Sequence, residues 1–145
     1  MIRKMEERDI LEIVADEERI FGSSLGEAML HNELSNPMAH YFVMEENNVI
    51  ISYIGLWEDS KNAQILNFYV KEKFRRLGYA KKMLEYALNY LDNLGVEVIT
   101  LEVRPSNLNA IDLYEKYKFE YSYKRRFYYN DGEDALVLIR RKDWL

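Results

Sequence analysis

Cysteine is absent from the chain of 145 residues. That excludes disulfides, a thiol nucleophile and a cysteine-ligated zinc. Histidine is scarce, and His31 and His40 lack the spacing of metal ligands, so no metal is expected. With two prolines and six glycines there is no flexible or proline-rich linker. Long apolar runs are missing, and the opening Met1-Ile-Arg-Lys-Met5 does not read as a signal peptide. Neither secretion nor membrane insertion is therefore expected, and a cytoplasmic location is the default. Excess positive charge is lacking too. At a net charge of −5 the chain is a poor electrostatic match for nucleic acid, despite two local basic runs, Lys124-Arg125-Arg126 and Arg140-Arg141-Lys142.

What is present is enough apolar material for a core, 48% by composition, on a length that predicts one domain over residues 1–145. Charge is unevenly spread. Residues 1–62 carry 5 Lys/Arg against 13 Asp/Glu, whereas residues 63–145 carry 15 against 12. An acidic first half attracts a basic substrate, although a solvated acidic helix has the same composition.

Hydrophobic periodicity sets the order of elements. Met1–Met5 reads as a short strand. Glu6–Phe21 reads as a helix that buries Ile10, Leu11, Ile13, Val14 and Ala15 and turns Asp16, Glu17, Glu18 and Arg19 to water. After Phe21-Gly-Ser-Ser24, Ser24 is placed to cap a helix over about 25–34, with Glu27 completing a capping box. Strands over 41–45 and 49–57 flank Asn47-Asn48, a pair that tolerates the positive φ of a hairpin. A strand over 63–70, a helix over about 78–94 closed by Gly95, and a strand over 96–103 imply a parallel crossover. A helix over about 108–117 follows, then a hairpin of 119–129 and 135–141.

The centre of this plan is Ile65-Leu-Asn-Phe-Tyr-Val-Lys-Glu-Lys-Phe-Arg-Arg-Leu-Gly-Tyr-Ala80. An apolar strand feeds a basic turn and then a helix whose apolar positions are Ala80, Met83, Leu84, Ala87, Leu88, Leu91 and Leu94. Such a turn can hold an anion. The first-turn N–H groups have no partners, and the helix dipole adds about half a positive charge there. Gly78 lets the backbone come close, and Arg75 and Arg76 add mobile charge.

Arg75-Arg-Leu-Gly-Tyr-Ala80 resembles the Arg/Gln-x-x-Gly-x-Gly/Ala motif of the GNAT acetyltransferases, whose loop holds the pyrophosphate of acetyl-CoA. Leu101-Glu-Val-Arg104 with Ser106-Asn107, Ala110-Ile-Asp-Leu-Tyr-Glu115, and Arg126-Phe-Tyr-Tyr129 before Gly132-Glu-Asp-Ala135 resemble the RimI-type ribosomal-protein N-terminal-alanine acetyltransferases. The resemblance runs from about residue 40 onward. It implies a GNAT fold of the α/β (α+β) kind: a mixed, twisted sheet of about seven strands flanked by about four helices. It implies acetyl-CoA as co-substrate, bound through Phe68, Tyr69, Val70, Arg75, Arg76, Leu77, Gly78, Tyr79, Ala80, Lys81 and Asn107. The acceptor would be a protein N-terminus, such as that of a ribosomal protein, and the enzyme a monomer or weak dimer. Two departures stand out. Gly22-Ser-Ser24 occupies the place where these proteins often carry an aromatic residue and proline, and Lys118 replaces the glycine that usually ends the helix before Phe119.

Acetyl transfer to an amine needs a base for the ammonium proton, stabilisation of the thioester oxygen, and help for the departing thiolate. Glu102 is the candidate base, a carboxylate on an otherwise apolar strand; a partner for Arg104 or a solvated edge residue is the competing reading. Tyr114, on a helix face with Ala110, Ile111 and Tyr117, is the candidate acid, with core packing as its competing role. Ser106 or Asn107 can also simply cap that helix. The resemblance assigns Tyr128 and Tyr129 to the acceptor backbone. It also places an oxygen-binding backbone N–H near Val70, where the strand is expected to bulge. Lysine side chains and small amines are alternative acceptors. A non-catalytic, CoA-responsive binding module is the alternative from another class.

Overall fold

Side-chain alternation along one strand decides the layers. In β2 (Ala39–Glu46), Tyr41 and Val43 point to one face and Phe42 and Met44 to the other, and all four are buried. A sheet buried on both faces needs a layer on each. The computed structural model describes residues 1–145 and supplies them. The elements are β1 (Ile2–Lys4), α1 (Ile10–Phe21), α2 (Glu27–Glu33), β2, β3 (Val49–Asp59), β4 (Asn62–Val70), α3 (Tyr79–Asn93), β5 (Val98–Val103), α4 (Leu108–Lys116), β6 (Glu120–Arg125) and β7 (Ala135–Arg141). Phe42 and Met44 join the larger core, under α3, which inserts Met83, Leu84, Ala87, Leu88 and Leu91. Tyr41 and Val43 join the smaller one, under α1 and α2, with Ile10, Ile13 and Leu30.

The seven strands lie in the order β1-β2-β3-β4-β5-β7-β6. Only the β4–β5 pair is parallel, as the crossover through α3 requires. Asn47 and Asn48 adopt φ of 51° and 63° in the β2–β3 hairpin. The expected mixed sheet with four α-helices is therefore present, and none of the helices is long and apolar enough to cross a membrane.

Two expectations for the first helices are corrected. Asp16 and Glu17 are buried, while Leu11 is 69% exposed and Ala15 also faces solvent. Counting from Ile10 and Ile13, helical spacing carries the inward stripe onto Asp16 and Glu17. Their charge is met by polar partners: the Tyr69 hydroxyl donates to Asp16 at 2.6 Å, and the Ser24 hydroxyl donates to Glu17 at 2.9 Å. Ser24 is consequently not a helix cap. Helix α2 starts at Glu27 behind Gly26, whose N–H bonds back to Ser24 Oγ at 3.0 Å.

β6 stops at Arg125, so residues 126–134 form a loop rather than strand. Lys118 takes φ +73°, the left-handed conformation that a glycine adopts freely. Relief of about 1–2 kcal/mol of strain against about 0.4–1 kcal/mol of added unfolded-state freedom makes Lys118→Gly stabilising by about 0.5 kcal/mol. Urea unfolding at constant slope measures it.

The feature that makes the site is a parting. β4 and β5 pair only from Asn62↔Val98 to Ile65↔Leu101. There β4 bulges: Leu56 opposes Ile65 and Gly55 opposes Asn67, so Leu66 is the extra residue. The expected bulge thus exists, but at Leu66 rather than near Val70.

Candidate active site

Where β4 leaves β5, a cleft of about 1530 Å³ opens between the two halves of the sheet. It is lined from one face by α3 and α4 and from the other by the α1–α2 turn and the β6–β7 loop. Of the residues singled out in the sequence, all but Leu77 line it; the Leu77 side chain is 63% exposed.

On the α3–α4 side, the Lys71 N–H turns toward β3, bonding Ile51 at 2.9 Å. Alternation then sends the N–H groups of Phe68 and Val70 to the unpaired side, into the gap. The Val70 carbonyl faces the same way and accepts from Arg75 Nε at 2.9 Å. Arg75 is therefore anchored, not freely mobile as expected from sequence. Arg76 and Gly78 both take positive φ, 64° and 86°, wrapping the turn so that α3 opens into the cleft. Nothing lies within 4 Å of the place a Cβ would occupy on Gly78. The N–H groups of Tyr79, Ala80 and Lys81 precede the first intrahelical bonds, and no acidic residue stands in that turn. Together these make an anion cradle.

Helix α4 presents two of the candidates. Asn107 is its cap, accepting from Ala110 N at 3.3 Å, so the bland role exists whatever else the side chain does. Tyr114 is buried edge-on against Phe119, with ring centroids 5.6 Å apart. Burial, followed by nearby Tyr129, pushes its pKa well above that of an ordinary phenol.

The opposite face carries Glu102. Alternation along β5 buries Leu101 and Val103 under α3 and α4 and turns Glu102 away from them. Its partner is Arg125 Nε at 3.3 Å, not Arg104. The neighbouring Glu102 carboxylate raises the pKa of Tyr128, and burial together with the Glu102 charge pushes Tyr129 up to about 12. Arg104 instead holds the β6–β7 loop. It pairs with Asp131 at 2.7 Å and Glu133 at 3.0 Å and lies 4.0 Å from the centre of the Tyr129 ring. Glu133 also accepts from the Ser106 N–H at 3.0 Å, and Ser106 and then Arg104 hold its carboxyl below the usual range.

Tyr69 turns its side chain away from the cradle. Its ring lies on the α1 side, and its hydroxyl is committed to Asp16, so it does not face the turn that leads into α3. The Arg104–Asp131–Glu133 clamp was not foreseen. Its signal was a surplus of acidic residues in Asp131-Gly-Glu-Asp134, whose partner lies 27 residues or more upstream. Asn67, the one amide in the apolar run Ile65–Val70, was also passed over.

The sequence pattern of the Acetyltransferase (GNAT) family matches residues 8–119. The chain belongs to the GNAT acetyltransferase family. It is thus an acetyl-CoA-dependent N-acetyltransferase. A Bacillus subtilis (strain 168) relative, provisionally named a ribosomal protein bS18-alanine N-acetyltransferase, is 32% identical over 139 residues, 94% of this chain and 92% of its own. The crystal structure of the ribosomal-protein-S18-alanine N-acetyltransferase from Escherichia coli superposes with a TM-score of 0.88 at 27% identity, covering 97% of this chain and 92% of that one. An Arabidopsis thaliana protein, NAA60, solved in complex with acetyl-CoA, shares the GNAT fold at a TM-score of 0.85 and 17% identity, covering 99% and 98% of the two chains.

Proposed function

We propose that this enzyme acetylates the N-terminal α-amine of a protein, with a ribosomal protein as the kind of acceptor. The observation that carries the reading is the tyrosine pair beside Glu102 at the parting of β4 and β5. Tyr128 and Tyr129 stand 5.1 Å apart, edge to face, on a loop tied to β5 by Arg104. Two phenols beside a carboxylate suit a peptide terminus, which brings an amine together with backbone donors and acceptors. The relatives named for alanine N-acetylation support the same reading.

The two substrates meet through the gap. The cofactor's pyrophosphate is held by the amides of the turn from Arg76 to Lys81, with the side chains of Arg75 and Arg76 adding charge and Asn107 reaching from α4. The amine enters from the other face. An α-amine with a pKa of about 7.7–8.0 is mostly protonated at neutral pH. Glu102, directly or through water, takes its proton, and the freed nitrogen attacks the thioester carbon. The N–H of Val70, unpaired where β4 leaves β5, stabilises the carbonyl oxygen as it becomes negative. As the intermediate collapses, the nitrogen gives up its second proton to solvent, the C–S bond breaks and the electron pair stays on sulfur. Tyr114 donates a hydrogen bond to that sulfur. Because burial makes a phenolate costly, its proton passes late, as the thiolate forms.

Acetyl-CoA raises the melting temperature of the wild type, since a ligand that binds only the folded state stabilises it. Gly78→Glu abolishes the rise by putting a negative charge in the cradle; the variant's own melting curve reports on folding. An undiminished shift in the folded variant removes the phosphate assignment. The acceptor is tested by acetylation of peptides that differ at their first two residues, with lysine-only peptides and a small polyamine as controls. Transfer confined to α-amines is expected. Preference for either control overturns the acceptor class.

A further inference from the structure

Asn67 is out of place. It is the only amide in the apolar run Ile65–Val70, sits one residue past the Leu66 bulge, and lines the cleft at the point where β4 leaves β5. Its Nδ2 donates to Oε2 of Glu17, a carboxylate with no exposed surface near the end of α1. The other Glu17 oxygen accepts from Ser24 on the α1–α2 turn at 2.9 Å. One buried carboxylate therefore ties together two walls of the cleft, the turn and the bulged strand. It does so without a cation: Lys71, the nearby ammonium, pairs with Glu12 and Asp16. Burying a carboxylate on neutral donors alone is costly. A glutamine at this place would make bonds of the same number at less cost, so the charge needs another reason.

That reason is polarity. A side-chain amide has a donor end and an acceptor end, whereas a carboxylate only accepts. Glu17 therefore fixes Asn67 with its NH₂ group inward and leaves Oδ1 for the cleft. A glutamine at 17 could present either end and would let the Asn67 amide reverse. A reversed amide sets a donor against the donors of an incoming amine.

We propose that Asn67 is an acceptor-binding residue whose Oδ1 takes a hydrogen bond from the N–H of the incoming amine or of its first peptide unit, and that Glu17 is the positioning residue that fixes this polarity. The inference rests on the reading, given above, that the amine enters beside the α1–α2 turn. The acceptor side of the cleft then has three fixed contributors on three elements: Glu102 on β5, the tyrosine pair on the β6–β7 loop, and Asn67 on β4.

The test uses the full chain and whichever amine the wild type acetylates best among α-amine peptides, a lysine-only peptide and spermidine. Steady-state kinetics give KM and kcat for that amine, and calorimetry gives the affinity for CoA. Asn67→Leu, nearly isosteric, raises the acceptor KM about 10-fold, with kcat and CoA affinity changed less than about 3-fold. Glu17→Gln raises the same KM by a smaller factor, and the double variant is no worse than Asn67→Leu alone, because both changes remove one interaction. An unchanged acceptor KM in Asn67→Leu overturns the proposal. So does a loss confined to kcat or to CoA affinity, and so do effects that multiply in the double variant. Where Glu17→Gln does not fold, Asn67→Leu alone carries the test. If spermidine or the lysine peptide is the preferred amine, the α-amine reading falls, while the Asn67 effect is still measured on that substrate.

Discussion

Glu102→Gln lowers turnover about 100-fold, within the range for losing a general base. The amide keeps the size of the side chain and can still meet Arg125 through its carbonyl, so the fold of the β6–β7 hairpin is retained. Acetyl-CoA affinity stays near the wild-type value, because Glu102 faces away from α3 and α4. The loss depends on pH in a set direction. Below the amine pKa of about 8 most of the acceptor is ammonium and needs a base, so the deficit is largest there. Above it the free amine accumulates, and the variant recovers part of its rate. A profile from pH 6 to 9.5 reads this out. Near-wild-type turnover across that range makes Glu102 a structural partner of Arg125 and nothing more.

Tyr114→Phe separates chemistry from packing, because it removes one oxygen and keeps the ring against Phe119. A ring that serves only as core leaves the rate unchanged. A hydroxyl that stabilises the leaving sulfur gives a loss of about 10- to 1000-fold with the fold intact. Burial sharpens the expectation. A phenol whose pKa is raised gives up its proton unwillingly, so its help matters most where the leaving thiolate is most basic. Acetyl donors with a more acidic thiol narrow the gap between wild type and variant. A deficit that does not vary with the donor places the hydroxyl in cofactor positioning and takes the acid role from it.

Much of this site was legible in the sequence because its parts are local. The turn from Arg75 to Ala80 is one contiguous stretch, and the amide cradle follows from a strand, a glycine and a helix in that order. Glu102 was visible as a charge in an apolar strand, and Asn107 as a residue before a helix. Lys118 was legible in its backbone, taking the left-handed φ its position demands. What escaped was non-local. Asp16 and Glu17 read as the wet side of α1 because hydropathy counts their charge and not the partners waiting across the fold: Tyr69 lies 53 residues away and Asn67 50 residues away. Arg104 read as a partner for its neighbour Glu102, whereas its partners lie 27 and 29 residues ahead, in a loop. Ser24 satisfied the pattern of a capping box but spends its hydroxyl on Glu17. In each case a local rule gave way to a hydrogen bond that only the assembled sheet provides.

The brevity of the β4–β5 pairing also bears on how the molecule comes apart. Four residue pairs, from Asn62↔Val98 to Ile65↔Leu101, with the Glu97 N–H bonding the Lys61 carbonyl just ahead of them, join the half-sheet β1–β4 to the half-sheet β5–β7–β6. Across the rest of that line the halves hold together by side chains packed under α3 and α4. A backbone seam this short is a natural boundary between cooperative opening units, so amide exchange in the two halves need not proceed together. A ligand lodged in the gap and touching both margins raises the free energy of opening there, and does so most at the amides of residues 62–70 and 98–103. Slowed exchange in those two strands is then a record of occupancy that needs no turnover.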